Sequence, residues 1–101
     1  MLTIMSKQTQ FNYSVENAIF NFIKNENVDV FCSELDRIQN FAKTTLMVRF
    51  GKSTILYTFN EIKKDIQLPK KHQNYQLMME MLMPYAQNHN GFTDLEVLGD
   101  A

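Results

Sequence analysis

The sequence contains very few residues of the kinds that cross-link or interrupt a chain. It has one cysteine, which excludes an intramolecular disulfide, and this cysteine and two histidines do not make the ligand set of a structural zinc site. A lone cysteine is typical of proteins in a reducing compartment, so we expect a cytoplasmic location. Three glycines and two prolines are too few for a flexible linker, which predicts a single domain over residues 1–101.

Long hydrophobic runs and a strong charge of one sign are also absent. The longest mainly apolar stretch, residues 77–86, contains Glu80 and Pro84 and is shorter than the ~20 residues of a membrane-spanning helix. Residues 1–10 lack the basic segment and the long apolar run of a signal peptide. A net charge of −1 creates no overall field toward nucleic acids or anionic lipids. We therefore expect neither membrane insertion nor secretion.

No complete catalytic or metal-binding motif is found. Cys32 precedes a predicted helix start, where the pKa of a thiol can be lowered, but its apolar neighbours favour a buried structural cysteine. His72 and His89 lie in polar surroundings that indicate exposed side chains. Gly51-Lys52-Ser53 resembles the end of a phosphate-binding loop, yet it joins two predicted strands instead of opening a helix. We expect no enzyme activity, cofactor, metal or small-molecule substrate.

The chain does contain enough apolar side chains for a core. Apolar residues make up 45% of the sequence and aromatic residues 12%, a composition that excludes intrinsic disorder. Residues 2–13 alternate loosely and predict an extended segment, after which Ser14 is the predicted N-cap of a helix. Phe20 lies off the apolar stripe of that helix. The stripe has helical spacing and consists of Val15, Ala18, Ile19, Phe22 and Ile23.

The next segment predicts a short strand followed by a second helix. Residues 28–32 alternate between apolar and polar side chains, apart from Phe31, and this pattern favours a strand. Ser33 then begins a helix, with Asp36 in the position of a capping-box acid. Residues 44–45 end this helix. Its predicted buried stripe is Leu35, Ile38, Phe41 and Ala42.

The strongest strand signal lies in residues 46–59. Two alternating runs, 46–50 and 55–59, are joined by a short loop that contains Gly51, and together they predict a β-hairpin. Asn60 is predicted to cap a short helical turn that stops at Pro69. A last helix is expected over residues 71–83, kinked or ended by Pro84 and followed by a stop at Gly91, and residues 92–98 are expected to add an edge strand.

This order of elements predicts an α+β fold, with three main helices packed on a small antiparallel sheet built around the central β-hairpin. The last helix is its most unusual part, because four of the seven methionines fall within residues 78–83. One of its faces carries Tyr75, Met78, Met79 and Leu82, and a second carries Leu77, Met81 and Tyr85. A helix with two apolar faces is either central to the core or in contact with a second molecule.

Methionine side chains are flexible and common on surfaces that adapt to partners. We therefore predict a small, non-enzymatic cytoplasmic protein that binds a protein partner or a second copy of itself, as a regulator, adaptor or inhibitor. Small size and missing catalytic motifs are typical of phage and mobile-element proteins. The predicted binding residues are Met78, Met79, Met81, Leu82 and Tyr85, with Phe20 as a neighbour.

A nucleic-acid-binding regulator with a winged-helix-like hairpin is the alternative. Basic side chains could contact phosphates from the hairpin and the turn after it. Residues 44–45 leave no room, however, for the recognition helix that precedes the wing in that fold. The predicted nucleic-acid-binding residues are Arg49, Lys52, Lys63 and Lys64.

Overall fold

The structure, a computed structural model, describes residues 7–87 and 94–99. These residues form four helices and three strands, which confirms the α+β fold. The helices are α1 (Lys7–Asn25), α2 (Val28–Asn40), α3 (Phe59–Ile66) and α4 (Gln73–Gln87), and the strands are β1 (Met47–Arg49), β2 (Leu56–Thr58) and β3 (Glu96–Leu98).

The strands form an antiparallel sheet in the order β2-β1-β3. Val48 in the central strand lies opposite Tyr57 of β2 and Val97 of β3, so these three residues share the face that carries the core. The predicted hairpin is confirmed. The predicted terminal strand is confirmed for residues 96–98, while Gly91 and residues 92–93 lie outside the described residues.

Helix α1 is longer than the sequence pattern predicted. It already includes residues 7–13, so the expected extended segment is wrong for these residues, and Ser14 lies inside the helix instead of capping it. Residues 2–6 lie outside the described part of the chain. Phe11 packs against the core in line with Val15, and this four-residue spacing shows that the loose alternation belonged to a helix.

Helix α2 replaces the predicted strand over residues 28–32 and begins five residues before Ser33. Asn27 is its N-cap, because the side-chain Oδ1 accepts a hydrogen bond from the Val30 N–H at 3.1 Å. Burial of Phe31 and Leu35 on one side of the helix outweighs the preference for a strand that the short alternation indicated. The helix ends at Asn40, and not at residues 44–45 as predicted. Phe41 follows the helix with its side chain 78% exposed, so it does not belong to the buried stripe in which it was predicted.

The loop between α2 and β1 is held by the side chain of Gln39. Its Nε2 donates to the Thr44 carbonyl at 2.8 Å, and its Oε1 accepts from the Leu46 N–H at 2.9 Å. Both bonds are made by one primary amide, which stands at the end of α2. The first buried residue of the hairpin, Leu46, is thereby tied to the preceding helix.

Helices α3 and α4 also correct details of the prediction. Thr58, and not Asn60, caps α3 in a reciprocal capping box: its Oγ1 accepts from the Glu61 N–H, and its own N–H donates to Glu61 Oε1, each at 3.1 Å. In place of a single turn, α3 is an eight-residue helix. Helix α4 neither starts at Lys71 nor stops at Pro84, but runs from residue 73 through the proline to residue 87.

The core lies between the helices and one face of the sheet. Helix α1 packs against α2, α4 and β3, and α3 packs against α2, α4 and β2. Leu35, Val48 and Leu82 are fully buried where these layers meet. Across residues 7–87 and 94–99, no helix has both the length and the apolar character needed to cross a bilayer.

A candidate partner-binding groove

The side chains of α4 divide into buried, half-buried and exposed groups. Met78, Leu82 and Tyr85 are in the core, with exposed fractions of 1%, 0% and 6%. Met79 and Met81 are half-buried and pack against this core. The first group therefore stabilises the fold, so that only part of the predicted binding set is free to contact a partner. Two α4 side chains that were not in that set, Leu77 and Met83, are 48% and 43% exposed.

The exposed Met83 lies in an apolar groove between α4 and the ends of the other helices. We call it the methionine groove; it has a volume of about 500 Å³. Its residues come from all four helices and from the turns that join them. The lining is Phe22, Ile23, Glu26, Val28, Ile66, Leu68, Lys70, Tyr75, Met79 and Met83.

Helical spacing places three of these side chains on α4. Tyr75, Met79 and Met83 follow one another at four-residue intervals, so they form a row along one side of the helix. The opposite wall comes from the end of α1, where Phe22 stacks on Phe31 with ring centroids 4.6 Å apart. Stacking fixes that wall, whereas the thioethers on the other side have rotatable bonds and can adapt to an occupant.

A sharp turn between α1 and α2 forms one end of the groove. Glu26 adopts a left-handed backbone conformation with φ 53°, and its N–H donates to the Phe22 carbonyl at 2.7 Å. The chain reverses there and brings Val28 into the lining. Glu26 and Lys70 are the charged residues of this lining, and the other eight are apolar or aromatic.

A second and larger cavity, of about 740 Å³, lies between α1 and α2. Amide and charged side chains, such as Asn17, Asn21, Glu34 and Arg37, provide much of its lining, next to the exposed ring of Phe41. Such a lining is well solvated without an occupant. Three of the nine residues that line this cavity are apolar or aromatic, against eight of the ten that line the methionine groove, and the groove is therefore the stronger candidate for binding an apolar partner surface.

Of the residues predicted to bind a partner, Met79 lines the methionine groove. Met81 and Phe20 do not, and Phe20 instead lies under Lys24, whose Nζ is 5.9 Å from the ring centroid. The prediction missed Met83 and Tyr75 as groove residues. The four-residue spacing through Met79 was a visible signal for both, whereas the walls from α1 and α3 depend on tertiary packing.

Tyr85 has a structural partner of its own. Its phenol donates to Asp94 Oδ1 at 2.9 Å, which ties the end of α4 to the segment before β3. Burial raises the pKa of the Tyr85 phenol well above its usual value, and the hydrogen bond to Asp94 raises it further. The hydroxyl is therefore neutral around pH 7 and acts as a hydrogen-bond donor.

Cys32 lies on α2 and is half-buried. Burial raises the pKa of its thiol, an effect that the nearby Lys63 ammonium opposes. Gln67 Nε2 lies 3.7 Å from its Sγ. The thiol is therefore held in its neutral form near pH 7, which is the opposite of what a cysteine nucleophile requires.

The two histidines and the phosphate-loop-like tripeptide have ordinary surroundings. His72 is exposed, and its Nδ1 accepts from the Asn74 N–H at 3.0 Å, while His89 lies outside the described residues. Gly51, with φ +62°, forms the hairpin turn, so Gly51-Lys52-Ser53 joins two strands as expected. Within the described part of the chain, no group of three or more His, Cys, Asp or Glu side chains is arranged to hold a metal ion.

Two of the four residues predicted to contact nucleic acid are engaged by acids within the fold. Arg49 Nη2 lies 2.5 Å from Glu96 Oε2 on the neighbouring strand, and the Lys63 ammonium pairs with Asp36 of α2. Lys52, in the hairpin turn, and Lys64, on α3, are exposed. The ion pairs reduce the charge that the hairpin and α3 offer to phosphates, although the nucleic-acid alternative itself stays a prediction.

Comparison with protein-family models, with curated proteins and with solved structures finds no match for this chain.

Proposed function

We propose that this chain is a protein-binding module, and that its partner inserts an amphipathic α-helix into the methionine groove. The observation that carries the proposal is the row of Tyr75, Met79 and Met83 facing an aromatic and aliphatic wall across about 500 Å³. A row with this spacing fits the apolar side of a helix, which presents residues at three- and four-residue intervals. Regulation or inhibition of the partner is the role we propose for this contact.

The shape of the groove favours a separate helix over a second copy of the same surface. A two-fold dimer would place this groove against itself, and two concave surfaces leave unfilled space between them. A helix is convex and can fill the groove with its side chains. Glu26 and Lys70 in the lining can pair with charges of opposite sign on that helix, so a mixed-charge amphipathic helix is the occupant to which we commit.

Catalysis is not part of this proposal. The neutral, half-buried thiol of Cys32 and the exposed His72 support a binding protein more than an enzyme. A cytoplasmic location is likewise proposed, from the single cysteine.

The test compares two α4 variants that are matched in exposure. Met83 lines the groove and Leu77 does not, yet their exposed fractions are 43% and 48%. A phage-displayed library of amphipathic helices of about four turns is selected on the wild-type chain. We expect Met83→Lys to lower the binding affinity of the selected peptides by about tenfold or more. The substitution removes one thioether that the peptide would bury and places a cation in the groove.

Leu77→Lys is the control and should change the affinity of those peptides by no more than about twofold. Circular dichroism of both variants checks that the fold is retained. Equal weakening by both substitutions would contradict the proposal, as would a selection that enriches no helix. Peptides that bind without sensitivity to Met83 would place the site elsewhere, with the larger α1–α2 cavity as the next candidate.

A further inference from the structure

The methionines of this chain differ widely in their access to solvent. Five of the seven lie in the part of the chain that the structure describes, and of these Met83 is the exposed one, with an exposed fraction of 43%. Met47, Met79 and Met81 are half-buried, and Met78 is 1% exposed. Among the described methionines, the one that solvent reaches most easily therefore also lines the methionine groove.

A methionine thioether reacts with a hydroperoxide when the reagent can reach the sulfur. A lone pair of the sulfur attacks the outer peroxide oxygen, the O–O bond breaks, and an S–O bond forms. The sulfur gives up two electrons, and the hydroperoxide accepts them and leaves as an alcohol, or as water when it is hydrogen peroxide. Because the thioether has no proton to lose before it reacts, access to the sulfur decides which methionine is oxidised first.

The product of this reaction does not suit an apolar contact. It is a sulfoxide, whose S–O group is polar and accepts hydrogen bonds. The apolar side of a partner helix offers no donor to that group, and burial of a polar group without a hydrogen bond is unfavourable. Since Met83 lines the groove, its oxidation opposes the insertion of a helix.

We infer that Met83 is an oxidation site that regulates the methionine groove, with a hydroperoxide as the oxidant. The inference rests on the proposed function, because helix binding is what the sulfoxide weakens. Met78 is shielded in the core, so the fold persists while the groove changes. Reduction reverses the change: two thiols return two electrons to the sulfur and become a disulfide, and the sulfoxide oxygen leaves as water.

Binding of a helix and oxidation of Met83 also oppose each other in the other direction. A helix in the groove covers the side chain of Met83 and keeps the hydroperoxide away from its sulfur. The free chain is therefore the form that is oxidised, and the bound chain is protected. This protection connects the oxidation site to the groove by a measurement that does not depend on any substitution.

Treatment of the full chain with hydrogen peroxide tests the order of reaction. Proteolysis and tandem mass spectrometry give the oxidised fraction of each methionine with time, and circular dichroism checks that the fold is retained. We expect Met83 to react at least about fivefold faster than Met78. A saturating amount of a helical peptide selected on the wild-type chain should slow the reaction of Met83 severalfold. Equal rates at the two methionines, or no protection by the peptide, would overturn the inference.

Peptide affinity before and after oxidation tests the regulation, with each protein compared with its own unoxidised form. The wild type should lose about tenfold or more in affinity and regain it after treatment with methionine sulfoxide reductases and a dithiol. Met83→Leu keeps an apolar side chain without a thioether, so oxidation should change its affinity by no more than about twofold. Met81→Leu is the matched control on the same helix, outside the groove, and should keep the loss seen in the wild type.

The results separate this inference from the function on which it rests. Peptides that are sensitive to Met83→Lys but bind the oxidised wild type undiminished would overturn the regulation and leave the proposed function standing. A loss on oxidation that is as large in Met83→Leu as in the wild type would also overturn the regulation, because another methionine would then be responsible. A selection that enriches no helix would overturn both.

Discussion

Helices α3 and α4 pack against each other but bury their apolar side chains to different extents. The buried residues of α3 are Phe59, Ile62 and Ile66, all on one stripe, and the rest of the helix is polar. On α4, by contrast, Leu77 and Met83 remain exposed outside the buried stripe. All apolar side chains of α3 are thus buried in the core, whereas α4 has apolar side chains that the described fold leaves exposed.

The largest change in the free energy of unfolding is expected from substitutions on the buried sides of the two helices. Leu82→Ala on α4 and Ile62→Ala on α3 remove fully buried side chains, so each should lower the free energy of unfolding by about 2–5 kcal/mol. Urea denaturation followed by circular dichroism measures both losses. A loss below about 1 kcal/mol for Leu82→Ala would show that α4 is not held in the core as described.

An intermediate effect is expected for Tyr85→Phe. Removal of the hydroxyl breaks the bond to Asp94 and should cost about 0.5–1.5 kcal/mol at pH 7. The pKa of Tyr85 is raised in the folded state, so its neutral phenol stabilises the fold fully below the unfolded pKa of about 10. That stabilisation is lost as the pH rises from there toward the folded pKa.

Urea denaturation at several alkaline pH values can separate this phenol from the other titrating groups. Between pH 9 and pH 11, as approximate limits around the tyrosine pKa, the wild type should lose more stability than Tyr85→Phe. Parallel pH profiles for the two proteins would contradict the role assigned to the Tyr85 hydroxyl. All other side chains are the same in both proteins, so the difference between the two profiles reports the Tyr85 hydroxyl.

The smallest effect is expected on the exposed side of α4. Leu77→Lys should change the free energy of unfolding by no more than about 0.5 kcal/mol, because the side chain is 48% exposed and lies outside the methionine groove. Thermal unfolding by circular dichroism is sufficient for this test. A loss comparable to that of Leu82→Ala would remove the distinction between the two sides of the helix.

The sequence predicted the parts of the fold whose signals are long or local. Alternation through Leu46 and Phe50 located the hairpin, and the helical stripe from Val15 to Phe22 located α1. The starts of α1 and α2 were missed because short windows with two-residue alternation resemble strands. At α2, Asn27 was an available cap residue, and the helical burial of Phe31 overruled the local pattern.

The candidate groove could be predicted only in part. The methionine-rich segment pointed to α4, and Met79 of that segment lines the groove, while its role in binding stays a prediction. Which methionines are buried depends on the rotation of α4 against α1, and this rotation is set by tertiary packing. The contributions of Ile23 and Leu68 depend on the same packing, since Ile23 lies near the end of α1 and Leu68 in the turn between α3 and α4.

The bonds of Gln39 have a consequence for how the chain tolerates change. A side-chain amide that both donates and accepts behaves as an extra peptide unit inserted between α2 and the hairpin. Because it holds residues 44 and 46 directly, the position at which the hairpin starts does not depend on the side chains at residues 41–43. The chain can therefore vary in sequence at the exposed Phe41 and Lys43, while Ala42 packs against the core and the alternation that directs Leu46 and Val48 inward is preserved.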